Sequence, residues 1–446
     1  MTDRESKTPT RAHPAASATV VDRRRVIAAG LGATGLGATG LGAAGLGAAT
    51  AGLPTAARAA PPEQPWTEMP GEVARKYGSP SVHEAAVERH LITVWPDLAP
   101  SYSFSGTPIE RLAGTITPNG LHYEIHHSGV PDIDPAAHRL MVHGRVARPL
   151  AFDADSLLRY PMVTRTHFLE CAGNSFFAAG QPEPVQAPAG MLNGLVSNTE
   201  WTGVPVRLLL EEAGIEPDGT WAVAVGADAG GLARSVPVAK LLDDALVALF
   251  QNGERLRPEQ GYPMRLLLPG WEGNMNVKWL TSLWLTDRSA GTRDEIAAYA
   301  DVTASGEVLQ NTFVLAVKSV ITRPSFGFDL PGPGLYEITG LAWSGRGRVA
   351  RVEVSTDGGA TWAEAELAGT GPDGHGPDRA LTRFRYPWRW DGGPATLLSR
   401  ATDEHGDTQP TRAAWKAKYG PGQINHFNAV QAWSVDRKGV VRNVYA

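Results

Sequence analysis

The stretch HFLECAGN, residues 167–174, holds the only cysteine of the 446-residue chain. An apolar run there ends in small residues and an asparagine, which indicates a strand leaving its sheet into a tight loop. A thiol at such a strand end, followed by Ala172 and Gly173, has backbone room beside it for a bulky group. A lone cysteine is often only a small buried hydrophobe. Its position favours the alternative, in which the Cys171 thiolate is a ligand for a soft or high-valent metal.

The sequence around this stretch predicts an α+β domain over residues 119–300. Leu140–Gly144 and Arg265–Leu268 have the apolar, branched character of strands. Val206–Ala213 and Val238–Phe250 have apolar residues at helical spacing. The chain has 50 Gly and 34 Pro, many of which separate short segments, and this content fits a long helical bundle poorly.

The sequence on either side of this domain has a different character. Residues 60–118 are rich in proline and predict an extended arm with one short helix near residues 84–87. A polar connector near residues 288–311 leads to residues 312–446, where alternating runs and glycine turns predict an all-β sandwich domain. Val349–Val354 is the clearest of these alternating runs.

The amino terminus, residues 1–59, is predicted to be a twin-arginine signal peptide. Arg23–Arg25 precede an uncharged stretch from Val26 to Ala57, and Ala57–Ala59 resembles a cleavage site. The uncharged stretch is long enough to span a bilayer, but its glycine and alanine content makes it weakly hydrophobic. We therefore expect export of a folded protein to the periplasm without a stable membrane anchor.

Charge and cysteine counts exclude several function classes. The chain has 41 Lys and Arg against 46 Asp and Glu, a formal charge of −5, so it lacks the basic surplus expected of a nucleic-acid-binding protein. One cysteine cannot form an intramolecular disulfide, a CxxC-type metal site or a c-type haem attachment site. We therefore expect no haem in this chain.

Cys171 begins the first of six short motifs whose order resembles that of the sulfite oxidase family of molybdenum enzymes. They are CAGN at 171–174, WTGV at 201–204, QNGE at 251–254, GYPMR at 261–265, PG at 269–270 and VKWL at 277–280. WEGN at 271–274, KSVIT at 318–322, YEITGLAWSGRG at 336–347 and LTRFRYPWRW at 381–390 are similar to the SoxC branch, the molybdenum subunit of bacterial sulfane dehydrogenase. The resemblance covers roughly residues 105–446.

The resemblance implies a molybdopterin-binding domain followed by an immunoglobulin-like domain through which two chains form a homodimer. It implies molybdenum with molybdopterin as cofactor and Cys171 as the metal ligand. Tyr299 and Arg385, or its neighbour Arg383, fall near the positions of substrate-pocket residues. The positions where the family holds the pterin and its phosphate are His127, Asp228, Gln260, Arg265, Asn276 and Lys278.

Simpler structural interpretations of these positions stay open on the sequence alone. His127 belongs to a histidine pair that suits a solvated loop, and Asp228 precedes glycines as a turn residue does. Lys278 could point outward from a strand. Arg265 lies inside an apolar run, where a bound anion would offset the cost of burying a guanidinium. Gln260 stands where many members of the family carry a histidine.

The chain departs from sulfite oxidases at two pocket positions. Ile125 and Phe176 stand where those enzymes have arginines around the oxyanion. Because a sulfite dianion needs fixed positive charge in exchange for its hydration, these residues favour a sulfane sulfur presented on a carrier protein. The resemblance implies that the electrons pass to a c-type cytochrome. The alternatives are a sulfite dehydrogenase acting on free sulfite and, in another class, a cofactor-free exported binding module with an immunoglobulin-like fold.

Overall fold

The computed structural model describes residues 69–92, 102–310, 312–420 and 422–445. The predicted signal peptide lies outside these residues. The chain divides into a unit over Met1–Gly78, whose described residues contain no helix or strand, and a unit over Ser79–Ala446. In the described ranges, no helix combines the length and hydrophobicity that crossing a membrane requires.

Strands dominate the second unit. In chain order they are β1 (His90–Ile92), β2 (Ser103–Gly106), β3 (Glu124–His126), β4 (Leu140–Gly144), β5 (Leu150–Phe152), β6 (Val163–Glu170), β7 (Val196–Pro205), β8 (Trp221–Gly226), β9 (Ala233–Pro237), β10 (Leu246–Gln251), β11 (Glu254–Arg255), β12 (Arg265–Leu267), β13 (Leu280–Thr286), β14 (Asp301–Val302), β15 (Val308–Leu309), β16 (Lys318–Arg323), β17 (Gly334–Trp343), β18 (Val349–Ser355), β19 (Ala363–Glu364), β20 (Glu366–Ala368), β21 (Thr382–Trp390), β22 (Ala395–Asp403), β23 (Ala432–Val435) and β24 (Val441–Val444).

The helices between these strands are short. The α-helices are α1 (Ala154–Leu157), α2 (Phe176–Gly180), α3 (Ala189–Asn193), α4 (Val206–Ala213), α5 (Val238–Asp243), α6 (Arg293–Ala297) and α7 (Arg412–Lys418). The 3-10 helices are η1 (Val82–Glu84), η2 (Asn119–Leu121), η3 (Pro258–Gln260) and η4 (Gly273–Met275).

The first domain contains two five-stranded sheets. In the first sheet, whose strand β6 ends just before Cys171, the order is β11-β10-β7-β6, with β12 also paired to β10. In the flanking sheet the order is β5-β4-β13-β8-β9, and β13 pairs with β4 in parallel. Both sheets contribute apolar residues to one core that also receives α4 and α5. The shared core therefore fixes the position of the two sheets and of the loops at their strand ends.

Helix α4 illustrates how the sequence specifies this core. Val206, Leu209, Leu210 and Ala213 are buried at helical spacing, and the helix ends at Gly214, whose φ of 71° suits a residue without a side chain. The predicted helix over Val238–Phe250 is right only in its first half. It stops at Asp243, and Leu246–Gln251 forms β10, because a continuous apolar run suits a strand buried on both faces.

The predicted arm and connector contain more regular structure than expected. The arm contributes β1 and β2 to a three-stranded antiparallel sheet with β3, here called the arm sheet, and its short helix is the three-residue η1. The connector near residues 288–311 forms α6 and the β14-β15 pair. Thr292 and Glu295 form a capping box that starts α6.

The second domain is a β-sandwich, as predicted. One sheet has the order β16-β17-β21-β20 and the other β19-β18-β22-β23-β24. Trp343, Phe384 and Trp433 lie fully buried between the two sheets. Phe168 of the first domain belongs to the same apolar core, with its ring 6.4 Å from that of Trp343. The two domains therefore pack through shared core residues.

Candidate active site

A cavity with about 690 Å³ of empty space, part of it open to solvent, lies beside the end of β6. Its wall comes from the arm sheet, the loop between β8 and β9, and the chain from η3 to β13. Apart from Arg385 and its alternative Arg383, the residues predicted to bind the cofactor or substrate lie in this wall: His127, Cys171, Asp228, Gln260, Arg265, Asn276, Lys278 and Tyr299.

Cys171 follows β6 directly and lies half-buried in the wall. Its backbone N–H donates to the Leu195 carbonyl at 2.9 Å, and the Gly173 N–H points to Sγ at 3.4 Å. Burial raises the pKa of the thiol to about 12, and the carboxylates of Glu272 and Glu170 add to the shift. These surroundings do not produce a thiolate, so the deprotonated form needs a cation at the sulfur.

Arg265 lies in the cavity wall and has an incomplete set of hydrogen-bond partners. Its Nη1 donates to the Gln260 carbonyl at 3.1 Å and its Nη2 to the Asn276 carbonyl at 2.9 Å. Its guanidinium lies over Trp201, 5.2 Å from the ring centroid. The Nε atom is buried without a hydrogen-bond partner among the described residues. Arg265 therefore retains a donor for a bound group.

Lys278 is neither an outward-pointing strand residue nor an open donor. Its Nζ lies 3.0 Å from the Ile125 carbonyl, 3.1 Å from the Glu259 carbonyl and 2.9 Å from His126 Nδ1. Burial, with Arg265 nearby, holds the pKa of Lys278 well below its usual value. Lys278 thus joins three segments of the wall.

Asn276 and Asp228 shape the wall through the backbone. Asn276 Oδ1 accepts from the Leu268 N–H at 2.6 Å, and its Nδ2 donates to the Glu272 carbonyl at 3.0 Å. Asp228 Oδ1 accepts from the Leu232 N–H at 3.0 Å and closes the loop between β8 and β9. Asp228 therefore stabilises a turn and also lines the cavity.

His127 lies at the cavity beside Tyr102, the residue that precedes β2 of the arm sheet. The ring of Tyr102 stacks on His127 with 5.3 Å between centroids. Burial lowers the pKa of His127, while Asp294 and Asp228 oppose the shift. His127 is therefore not the solvated loop residue that one interpretation allowed.

Two further wall residues, His122 and Asn274, escaped the sequence prediction. His122 is 1% exposed, and its Nδ1 lies 2.9 Å from the Tyr123 carbonyl, so its Nε2 is left as an acceptor without a partner among the described residues. Both side-chain polar atoms of Asn274 are likewise buried and unpartnered in the described part of the chain. Asn274 lies in the WEGN motif at 271–274, which could have indicated it.

Arg385 is a correction to the prediction. Its side chain is 51% exposed and lies 3.8 Å from Glu337 across the sheet. Because Phe384 faces the sandwich core, Arg383 and Arg385 project from the opposite face of β21. Arg383 is buried there under residues 112–114, donating to the carbonyls of Gly114 and Leu112. Neither arginine lines the cavity.

Comparison with known proteins identifies the family. A family model described as an oxidoreductase molybdopterin binding domain matches residues 127–293, and one described as a Mo-co oxidoreductase dimerisation domain matches residues 310–427. Sulfite oxidase from Gallus gallus is 32% identical over 328 residues, which cover 69% of this chain and 71% of that protein. The chain belongs to the sulfite oxidase family of molybdenum enzymes.

Other members of the sulfite oxidase family differ in how much of their length this chain matches. The crystal structure of the sulfane dehydrogenase SoxCD from Paracoccus pantotrophus is similar with a TM-score of 0.82 and 42% identity, covering 86% of this chain and 97% of that one. Nitrate reductase [NADH] from Ulva prolifera is 29% identical over 73% of this chain but only 41% of its own length.

Family membership makes this chain a molybdenum oxidoreductase with molybdopterin as cofactor, and it removes the cofactor-free binding module. The cavity fits that cofactor. His122 Nε2, Arg265 Nε and the Asn274 amide are buried polar atoms without partners among the described residues, and each is costly to leave unpaired. A pterin edge and a phosphate offer the matching donors and acceptors, and the Cys171 sulfur offers a soft metal ligand.

The two positions where sulfite oxidases have arginines differ in their placement. Ile125 lies in the cavity wall. Phe176 lies outside that wall, in an apolar cluster with Phe177, with 4.1 Å between the ring centroids. Arg265 is the one arginine among the described wall residues, and it donates to the carbonyls of Gln260 and Asn276.

The burial of His122 predicts acid sensitivity of the fold. Burial lowers the pKa of His122 from 6.5 to about 3. Its unfolded form takes up a proton below pH 6.5 while the folded form does not, so stability is full above that pH and falls as the pH drops towards 3. This residue alone should contribute about 1.4 kcal/mol per pH unit in that window.

Urea unfolding of the cofactor-free protein between pH 7 and pH 5 measures this contribution. His122→Asn should flatten the pH dependence of the free energy of unfolding by that amount. The control, His83→Asn, replaces an exposed histidine and should leave the dependence unchanged. An unaltered slope in His122→Asn would show that this ring is not excluded from solvent.

Proposed function

We propose that this chain is the molybdenum subunit of a periplasmic sulfane dehydrogenase, which oxidises sulfane sulfur carried on a partner protein. The observation that supports this proposal most directly is in the cavity wall, where the apolar Ile125 stands at a position that is an arginine in sulfite oxidases. The similarity to SoxCD supports the same substrate class. A substrate presented on a protein arm brings its own binding energy and does not depend on a cage of cations.

The residues of this chain divide the work at the cavity. Cys171 would hold the metal, while Arg265, His122 and Asn274 would bind the pterin and its phosphate. The bound cofactor supplies oxygen-atom transfer to sulfur and takes up the electrons released. Burial, together with Cys171 and Glu272, holds the pKa of Tyr299 well above its usual value, so its phenol stays protonated as a hydrogen-bond donor.

The partners and location complete the proposal. A single cysteine leaves no c-type haem site in this sequence, so electrons would leave to a separate c-type cytochrome. The twin-arginine pattern at Arg23–Arg25 supports export to the periplasm. The domain matched as a dimerisation domain supports a homodimer through residues 312–446.

Steady-state assays with cytochrome c as acceptor test the substrate. We expect a kcat/KM for a carrier-protein persulfide well above that for free sulfite, by at least about tenfold. Ile125→Arg, which adds the missing charge, should lower the KM for free sulfite. Ile116→Arg places the same charge at an exposed position and should leave this KM unchanged.

A sulfite dehydrogenase is the second candidate, favoured by the similarity to the Gallus gallus sulfite oxidase. Rapid turnover of free sulfite by the unmodified enzyme, with no gain from a carrier protein, would establish that candidate and reject the first.

A further inference from the structure

A buried arginine lies behind Tyr299, outside the cavity wall. Arg234, on β9, is 1% exposed, and its guanidinium carbon lies 4.8 Å from the centroid of the Tyr299 ring. Its Nη2 donates to Glu272 Oε1 at 3.1 Å and its Nε to Met275 Sδ at 2.9 Å. Burial of a charged guanidinium costs free energy unless the charge is paired. The pairing with Glu272 offsets that cost and holds the guanidinium against the ring.

The Tyr299 ring is positioned by packing and not by side-chain hydrogen bonds in the described part of the chain. Its backbone N–H donates to the Asp294 carbonyl at 3.2 Å, which fixes the main chain at the end of α6. Within the described residues, the phenol makes no hydrogen bond to another side chain. The orientation of the ring at the cavity therefore depends on what packs against its faces, and Arg234 provides a cation–π contact there.

Arg234 is itself held by a carboxylate that is tied to the second domain. Glu272 is 1% exposed, and its Oε2 lies 3.5 Å from His426 Nε2. The His426 backbone N–H donates to the Ala172 carbonyl at 2.7 Å, one residue after Cys171. The contacts thus run from the second domain to the loop after Cys171 and to the support of Tyr299.

We infer that Arg234 is a positioning residue that fixes the Tyr299 ring from behind, with Glu272 and His426 fixing Arg234. Its charge attracts the face of the ring, while Glu272 prevents the guanidinium from moving into the cavity. Loss of Arg234 frees the ring to leave the geometry in which its hydroxyl meets substrate. The catalytic consequence rests on the proposed function, whereas the orientation of the ring does not.

Fluorine NMR of the purified holoenzyme with 3-fluorotyrosine placed at residue 299 tests the orientation. We expect Arg234→Met to shift and broaden this resonance, and Arg234→Lys, which keeps a cation, to retain more of the wild-type signal. The matched control is Arg412→Met, which removes another buried arginine stacked on a tyrosine, 3.6 Å from the centroid of Tyr445. The control should leave the signal unchanged.

Kinetics at equal molybdenum content provide the second readout. Arg234→Met should lower kcat by about tenfold, within the range of a desolvated cation–π contact, with Arg234→Lys intermediate. An unchanged resonance in Arg234→Met overturns the inference, as does an equal shift in Arg412→Met. If Arg234→Met does not fold, Glu272→Gln must shift the resonance, and a failure to do so has the same meaning. Failure of the substrate proposal would leave the fluorine result intact, because that measurement needs no substrate.

Discussion

Cys171→Ser should abolish turnover, reducing activity by at least about 100-fold. Substitution of residues that only support a metal ligand typically costs 10–100-fold, and loss of the ligand itself should cost more. A serine oxygen is a hard donor with a far higher pKa than a thiol, so it cannot replace a soft thiolate at molybdenum. The side chains are close in size, so the fold should survive.

Enzyme purified from a host that makes molybdopterin is suited to this test. Molybdenum content, turnover and thermal midpoint are measured for the wild type and the variant. The control is Thr164→Ser, a change at the exposed start of the same strand, β6. We expect stoichiometric molybdenum and full turnover in the control. Wild-type turnover in Cys171→Ser would remove this sulfur from the mechanism.

Local sequence patterns predicted the position of Cys171 well. An apolar run followed by Ala172 and Gly173 indicated a strand that ends at the cysteine, and β6 ends at Glu170. The family resemblance also pointed to residues that lie in the cavity wall, such as Gln260 and Arg265.

The relations between distant segments could not be predicted. Lys278 donates to Ile125, 153 residues away, and nothing in either segment indicates the other. Arg385 was placed near the cavity by its motif, but the alternation of β21 turns it to the opposite face from the sandwich core. Whether that face meets the cavity depends on how the two domains pack, and no local sequence pattern indicates this.

Lys318→Met should destabilise the protein more than any surface change of similar size. Lys318 is 2% exposed on β16, and its Nζ lies 3.2 Å from Glu170 Oε1 and 2.8 Å from Ser175 Oγ. Glu170 Oε2 also accepts from Trp343 Nε1 at 2.7 Å. Removal of the lysine leaves a buried carboxylate without a counter-ion, which costs about 3–5 kcal/mol.

Urea unfolding measures this loss against the control Arg145→Met, which breaks an exposed pair with Asp218 and should cost less than about 1 kcal/mol. The double variant Lys318→Met with Glu170→Gln leaves no buried charge and should recover part of the loss. A cost equal to that of the control would mean that the pair is solvated. Glu170 directly precedes Cys171, and Lys318 belongs to the second domain. A large cost would therefore show that the contact between the two domains stabilises the segment that holds Cys171.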